Sequence, residues 1–317
     1  MGVCEGSLVR LPRRVIVVWV TTSHVQPSRS LANYKKLCKP LDILLYLWYN
    51  ELSKNERGKT TMRVIVFDTE TVGKVSQALL NVGYQILDID IQNATAKVLQ
   101  KRNFLVGSLF KNEMLMLNDD FVGAKKYGFY KAMLDDKKIV FHEIPTIFRI
   151  MENDLKRHSV LFGYAFNSAF DTDKFDRTAT EKGLHNPLAN IPIFDLWGFA
   201  YDRITNTEEY KAWAKANEQY TPTGRYLSGN VEAITRYLLN NLDFAESHTA
   251  LDDTEHEVRI LLECVRRGAD ITREVKHGNL PSDKVFEDIY VDTETGEVMT
   301  LRYKKLVKRN GATYLYH

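Results

Sequence analysis

Cysteine is scarce in this chain, with Cys4, Cys38 and Cys264 the only three in 317 residues. Their spacing fits neither a zinc site nor a disulfide framework and points to a reducing, cytoplasmic compartment. Net charge is equally spare: 43 Lys and Arg against 41 Asp and Glu leave +2, so bulk charge names no partner. Apolar runs are short. Val15 to Val20 follows Arg10, Arg13 and Arg14 in the manner of a signal peptide, but it is shorter than an h-region and no small-residue cleavage site comes after it. Neither it nor Leu41 to Tyr49 approaches the roughly 20 residues needed to cross a bilayer, so no membrane partner is expected. A Gly-rich phosphate loop, internal repeats and low-complexity tracts are also missing.

What remains is a composition 44% hydrophobic and 26% charged, that of a globular protein with a sizeable core. Residues 1–61 differ in texture from the rest of the chain and are expected to be a poorly packed N-terminal extension, with Met62 a natural domain start. Residues 62–270 form the expected main domain, and 271–317 a C-terminal β-hairpin appendage.

The centre of the chain is Arg63-Val-Ile-Val-Phe-Asp-Thr-Glu-Thr71. Val64 to Phe67 read as a strand buried on both faces. Side chains two apart on a strand share a face, so Asp68 and Glu70 leave it side by side. Two unit charges about 4 Å apart repel by roughly 4 kcal/mol at an effective dielectric near 20. Protonation of one carboxylate or a divalent cation relieves that repulsion; an acidic pair can also just end a strand at the surface. The tetrapeptide alone decides nothing, since Asp292-Thr-Glu-Thr295 repeats it before Gly296, in what reads as a hairpin turn.

Downstream, Tyr84 to Ile91 and Ala96 to Leu109 have strand-like patterning and predict an antiparallel meander with the first strand. Helical spacing appears over Asp119 to Leu134, Ile144 to Lys156, Val231 to Leu239 and Leu251 to Arg267. Val160 to Phe166 is a second buried strand that runs into Asn167 and Phe170-Asp171, ahead of a helix over Thr172 to Lys182. Ile191 to Leu196 is a short strand-like piece whose Asp195 reads as structural, and a polar helical region reaches about Asn217. Val285 to Tyr316 alternates around Thr295-Gly296 and Asn310-Gly311. Its Lys304, Lys305, Lys308 and Arg309 fit a nucleic-acid contact less well than a solvated face. Finally, His248 lies five residues before Asp253. Both reach one site only if His248 sits in a loop and Asp253 in the first turn of the helix after it. Adjacent Asp252 is then free to cap that helix.

Three motifs in order carry a resemblance: Phe67-Asp68-Thr69-Glu70-Thr71, Asn167-Ser168-Ala169-Phe170-Asp171, and His248-Thr249-Ala250-Leu251-Asp252-Asp253. Over residues 62 to about 267 the chain resembles the DEDDh 3′–5′ exonucleases. These are DnaQ-like members of the ribonuclease H-like group that includes the epsilon proofreading subunit of bacterial DNA polymerase III and ribonuclease T. Val72 and Phe166 depart from the commonest family residues. The resemblance implies an α/β fold, with a mixed five-stranded sheet, its first three strands antiparallel, and helices on both faces. It implies that Asp68, Glu70, Asp171 and Asp253 hold two Mg²⁺ or Mn²⁺ ions, with hydrolysis at phosphorus by a two-metal mechanism. His248, an imidazole of ordinary pKa about 6.5, takes the proton from the attacking water. Thr69, Asn167 and Phe170 contact substrate. The implied activity is release of 5′-mononucleotides from single-stranded or frayed 3′ ends, DNA favoured over RNA, in proofreading or repair beside a DNA polymerase. An exoribonuclease, an oligoribonuclease and an idle binding module of the same fold are the alternatives.

Overall fold

Val64, Ile65, Val66 and Phe67 are fully buried, as a strand covered on both faces requires. They form the middle of β1 (Thr61–Val72), which pairs antiparallel with β2 (Ala78–Asp90). The computed structural model describes residues 61–73, 77–118 and 123–282. It describes backbone strands alone at 8–10, 15–17, 286–291, 298–303, 305–309 and 312–316.

From β2 the chain turns back into β3 (Thr95–Val106), again antiparallel, completing the expected meander. The short β4 (Val140–His142) then runs parallel to the end of β3. On the other side of β1 come β5 (Phe162–Ala165) and β6 (Ile193–Asp195), both parallel. The sheet order is therefore β4-β3-β2-β1-β5-β6. This is the mixed sheet that was expected, with a sixth strand added at one edge, where three residues of β3 offer β4 an open ladder.

Around it lie α1 (Gly107–Phe110), α2 (Glu113–Asn118), α3 (Gly123–Asp135), α4 (Ile144–His158), α5 (Ser168–Lys182), α6 (Leu196–Ala200), α7 (Glu208–Ala216), α8 (Val231–Leu239) and α9 (Ala250–Arg266). The polar helical region expected to reach about Asn217 is in several pieces: α6 passes into a π-helical turn, Tyr201–Thr205, before α7. Helix α5 starts at Ser168, four residues earlier than the pattern predicted, so Asp171 falls inside its first turn.

The two faces of the sheet differ, and the difference sets up the site. Ile65 and Phe67 share one face with Val82, Tyr84 and Ile86 of β2. There they pack against Ile147, Phe148 and Met151 of α4 and Phe175 of α5. Phe175 meets Phe67 edge-on at 5.8 Å between centroids and stacks on Phe148 at 5.5 Å. Such pairs are worth about 0.5–1.5 kcal/mol each beyond area burial. The opposite face carries Val64, Val66 and Asp68 and receives α9.

Contacts divide the chain into two units, Met1–Leu52 and Ser53–His317. In the first, Leu8–Arg10 pairs antiparallel with Val15–Val17; the expectation of a poorly packed extension over residues 1–61 otherwise lies outside the described residues. Near the C-terminus, Phe286–Val291 pairs with Val298–Tyr303 and Lys305–Arg309 with Ala312–Tyr316, both antiparallel. The turn residues Thr295-Gly296 and Asn310-Gly311 and the basic side chains of this tail lie outside the described residues. Among the described residues, no helix is long and apolar enough to cross a membrane.

Candidate metal centre

Asp68 and Glu70 stand where β1 leaves the core, opposite Gly83 and Asn81 of β2. A register shift between Glu70 and Thr71 breaks the ladder there; such a bulge bends a strand and re-aims its side chains. Strand β5 lies parallel beside β1 and ends at the same edge. Asn167 comes just after it in the left-handed conformation, φ 61°, and its N–H donates to Asp195 Oδ1 at 2.9 Å. The same Asp195 oxygen accepts the Trp197 N–H and caps α6. Asp195 thus fixes the turn from which α5 departs.

Asp171 is only 2% exposed. Its Oδ1 accepts two hydrogen bonds from Thr69, from the N–H at 3.0 Å and from the hydroxyl at 2.6 Å. Thr69, between the two β1 carboxylates, points to the α5 face and ties Asp171 to them across 102 residues of chain. One turn further along α5, Phe175 packs on Phe67, so one ring contact and two hydrogen bonds set Asp171 beside Asp68.

The third group arrives on α9, docked by three alternate residues of β2. The Asn81 side-chain oxygen Oδ1 accepts the Ala250 N–H at 2.9 Å, satisfying a donor at the helix start. Gly83 lies against the backbone of Ala250 and Leu251, where any Cβ would overlap it. The Gln85 amide donates to Thr254 Oγ1 at 3.0 Å. Just before the helix, Ser247 and Thr249 both donate to Asp252 Oδ2, at 3.1 and 2.8 Å. Asp252 is thereby spent on its helix start, and Asp253 takes the inward position at 8% exposure.

His248 occupies the loop with φ 52°, a conformation uncommon for a residue with a Cβ. One ligand atom each from Glu70, His248 and Asp253 lie within 4.8 Å of one another. Asp68 and Asp171 stand outside that trio; Asp68 feels the charges of Glu70 and Asp253, and that of Asp171 as well. Asp68 is held well above the usual carboxylate range by burial first, then by the charges of Asp171, Glu257, Glu70 and Asp253. Burial also pushes Asp171 up to about 7 against the opposing pull of its Thr69 hydrogen bonds, with Asp195 adding to the rise. Glu257 is likewise held high by burial and by Asp171, Asp253 and Glu246.

Buried carboxylates that oppose one another's ionisation, with an imidazole at their rim, are the hard-donor set that suits a divalent cation such as Mg²⁺ or Mn²⁺. An orphaned atom points the same way: Glu257 Oε2 is buried and accepts no hydrogen bond, although buried polar atoms ordinarily find a partner. The residues present therefore fit a cation-binding pocket.

Of the residues singled out in the sequence, Asp68, Glu70, Asp171, His248 and Asp253 come together at this end of the sheet. Thr69 sits among them with both its donors engaged by Asp171. Asn167 is exposed at the rim, and Phe170 is 37% exposed with the Lys174 ammonium 4.6 Å from its ring centroid. Sequence reasoning missed Glu257 and the docking residues Asn81, Gly83 and Gln85. Glu257 lies one helical turn after Asp253, an i,i+4 relation that alone would have placed both on one face.

No protein-family model matches the chain, and no curated protein matches it. Two solved structures align with most of it. One, described as 3′-end-specific recognition of a histone mRNA stem-loop by a 3′-exonuclease, is 10% identical, with a TM-score of 0.41 over 86% of this chain and 82% of that one. The other, a full-length 3′-exonuclease, is 11% identical, with a TM-score of 0.43 over 82% of this chain and 98% of that one. At those values the likeness carries no weight, and the site stands on its own geometry.

Proposed function

We propose that this chain is a metal-dependent 3′–5′ exonuclease whose catalytic unit spans residues 62–270. The observation that carries the reading is the convergence of Glu70, His248 and Asp253 within 4.8 Å, beside Asp68 and Asp171, from stretches up to 185 residues apart. Fold stability gives no reason to gather like charges in a buried place; binding cations does.

In this reading Asp68, Glu70, Asp171 and Asp253 hold two divalent ions. When bound, such ions offset the charge of the phosphodiester and favour attack on its phosphorus. The chain's own groups do the rest. Thr69 holds Asp171 in place. His248, its side chain 57% exposed at the mouth, accepts the proton of the attacking water, whose oxygen bonds to phosphorus as the bond to the 3′ oxygen breaks. Phe170 and Asn167, exposed on the α5 side, are placed to meet the terminal nucleotide. The motif resemblance supplies the 3′–5′ polarity and the release of 5′-mononucleotides. Single-stranded or frayed DNA ends are our favoured substrate over RNA, and proofreading or repair, beside a DNA polymerase, the favoured setting.

The test is digestion of end-labelled single-stranded DNA and RNA with Mg²⁺ or Mn²⁺, alongside an Asp68→Ala, Glu70→Ala variant and His248→Ala. A stepwise ladder shortening from the 3′ end is expected, faster on DNA. It should vanish in the double variant and in His248→Ala, the latter keeping its metal binding. Faster digestion of RNA selects the exoribonuclease alternative, and activity that survives in the double variant overturns the assignment.

A further inference from the structure

Glu257 is 2% exposed on the inward face of α9. Its two oxygens have different fates. Oε1 accepts the Phe166 N–H at 3.0 Å, holding the end of β5 against α9, whereas Oε2 is buried and accepts nothing. A neutral amide oxygen would also accept the Phe166 N–H and would not bring a charge into a pocket already crowded with carboxylates. The side chains whose charges bear on Glu257 are Asp171, Asp253 and Glu246, and Glu257 in turn bears on Asp68. Burying a carboxylate oxygen without a partner is costly, and a tie to Phe166 alone does not require it.

We infer that Glu257 is a fifth carboxylate of the cation site: Oε1 positions the β5–α5 turn that carries Asp171, and Oε2 supplies negative charge that strengthens cation binding. This rests on the reading that the acidic pocket binds cations. Glu257 is a positioning residue whose charge bears on Asp68 and is opposed by those of Asp171 and Asp253, and its effect is felt in the affinity of the site. Groups behind metal ligands commonly change affinity by about 10- to 100-fold.

Two substitutions separate the roles of its oxygens. Glu257→Gln keeps an acceptor for Phe166 and removes the charge; Glu257→Asp keeps the charge and shortens the reach. The experiment is calorimetric titration of the full chain with Mn²⁺, together with melting of each protein in chelator at pH 8. Glu257→Gln should bind Mn²⁺ about tenfold more weakly than the wild type and more weakly than Glu257→Asp. It should also melt higher than the wild type without metal, because a buried carboxyl that is costly either to ionise or to keep protonated at pH 8 has gone. Affinity equal to the wild type, affinity no weaker than that of Glu257→Asp, or a lower melting point overturns the inference and leaves Glu257 a structural tie. Wild-type protein that takes up no Mn²⁺ defeats the cation site itself, a separate result.

Discussion

Removing the cations turns the acidic pocket into a pH-dependent liability whose size comes from Asp171. Its carboxyl is pushed from an ordinary 3.8 up to about 7 in the folded chain. Above pH 4 the unfolded chain has released that proton while the folded chain keeps it, so the folded state binds more protons. Stability therefore falls as pH rises. The contribution is fully present below about pH 4 and is lost as pH climbs through 7. A shift of about three units at about 1.4 kcal/mol each amounts to something on the order of 4 kcal/mol from this one group. Asp68 and Glu257 are displaced in the same direction and add to it. Against a typical domain stability of about 5–15 kcal/mol that is a large fraction. Urea denaturation in chelator at pH 5, 6, 7 and 8 should show midpoints falling steadily across the series. Mn²⁺ at a hundred times its dissociation constant should return about 2.7 kcal/mol at pH 8, and Asp171→Asn should flatten the metal-free slope. Chelated protein as stable at pH 8 as at pH 5, with Mn²⁺ making no difference, refutes the reasoning.

The geometry sets two further outcomes. Gly83→Ala places a methyl group into the backbone of Ala250 and Leu251. Because backbone cannot step aside as a flexible side chain can, the loss should be at or beyond the usual 1–3 kcal/mol of overpacking, read by denaturant titration, with metal affinity falling as α9 shifts. Thr69→Val removes the hydroxyl bond to Asp171 and keeps the backbone one. It should cost about 1.5–3 kcal/mol, the range for a hydrogen bond to a charged group, and weaken Mn²⁺ binding in calorimetry while leaving the fold intact by circular dichroism.

Much of this arrangement was legible in the amino-acid order, and what was hidden has identifiable causes. The apolar run Val64 to Phe67 reads as a covered strand, and His248 and Asp253 can share a site only as loop then first helical turn, which is the arrangement observed. Local patterning starts strand β2 at Tyr84, but the strand begins at Ala78. Asn81 and Gly83 look like turn residues by local propensity. Tertiary packing overrides that reading, because Asn81 satisfies the Ala250 N–H and Gly83 admits the backbone of α9. Neither partner is visible within any short window of sequence. Glu257 hid for a similar reason: a glutamate in an amphipathic helix reads as solvated, and only the approach of Phe166 from β5 shows it buried. The break of the α6–α7 region at the π-helical turn carried no Pro or Gly signal inside Tyr201–Thr205.

Anomalous diffraction from crystals of the full chain soaked in Mn²⁺ asks most directly whether side chains from three distant stretches make one cation pocket. Manganese density is predicted within coordinating reach of the Glu70 and Asp253 carboxylates, and gone from crystals of Asp68→Ala, Glu70→Ala. Density confined to other surfaces, or a pocket left without manganese at saturating concentration and neutral pH, contradicts it.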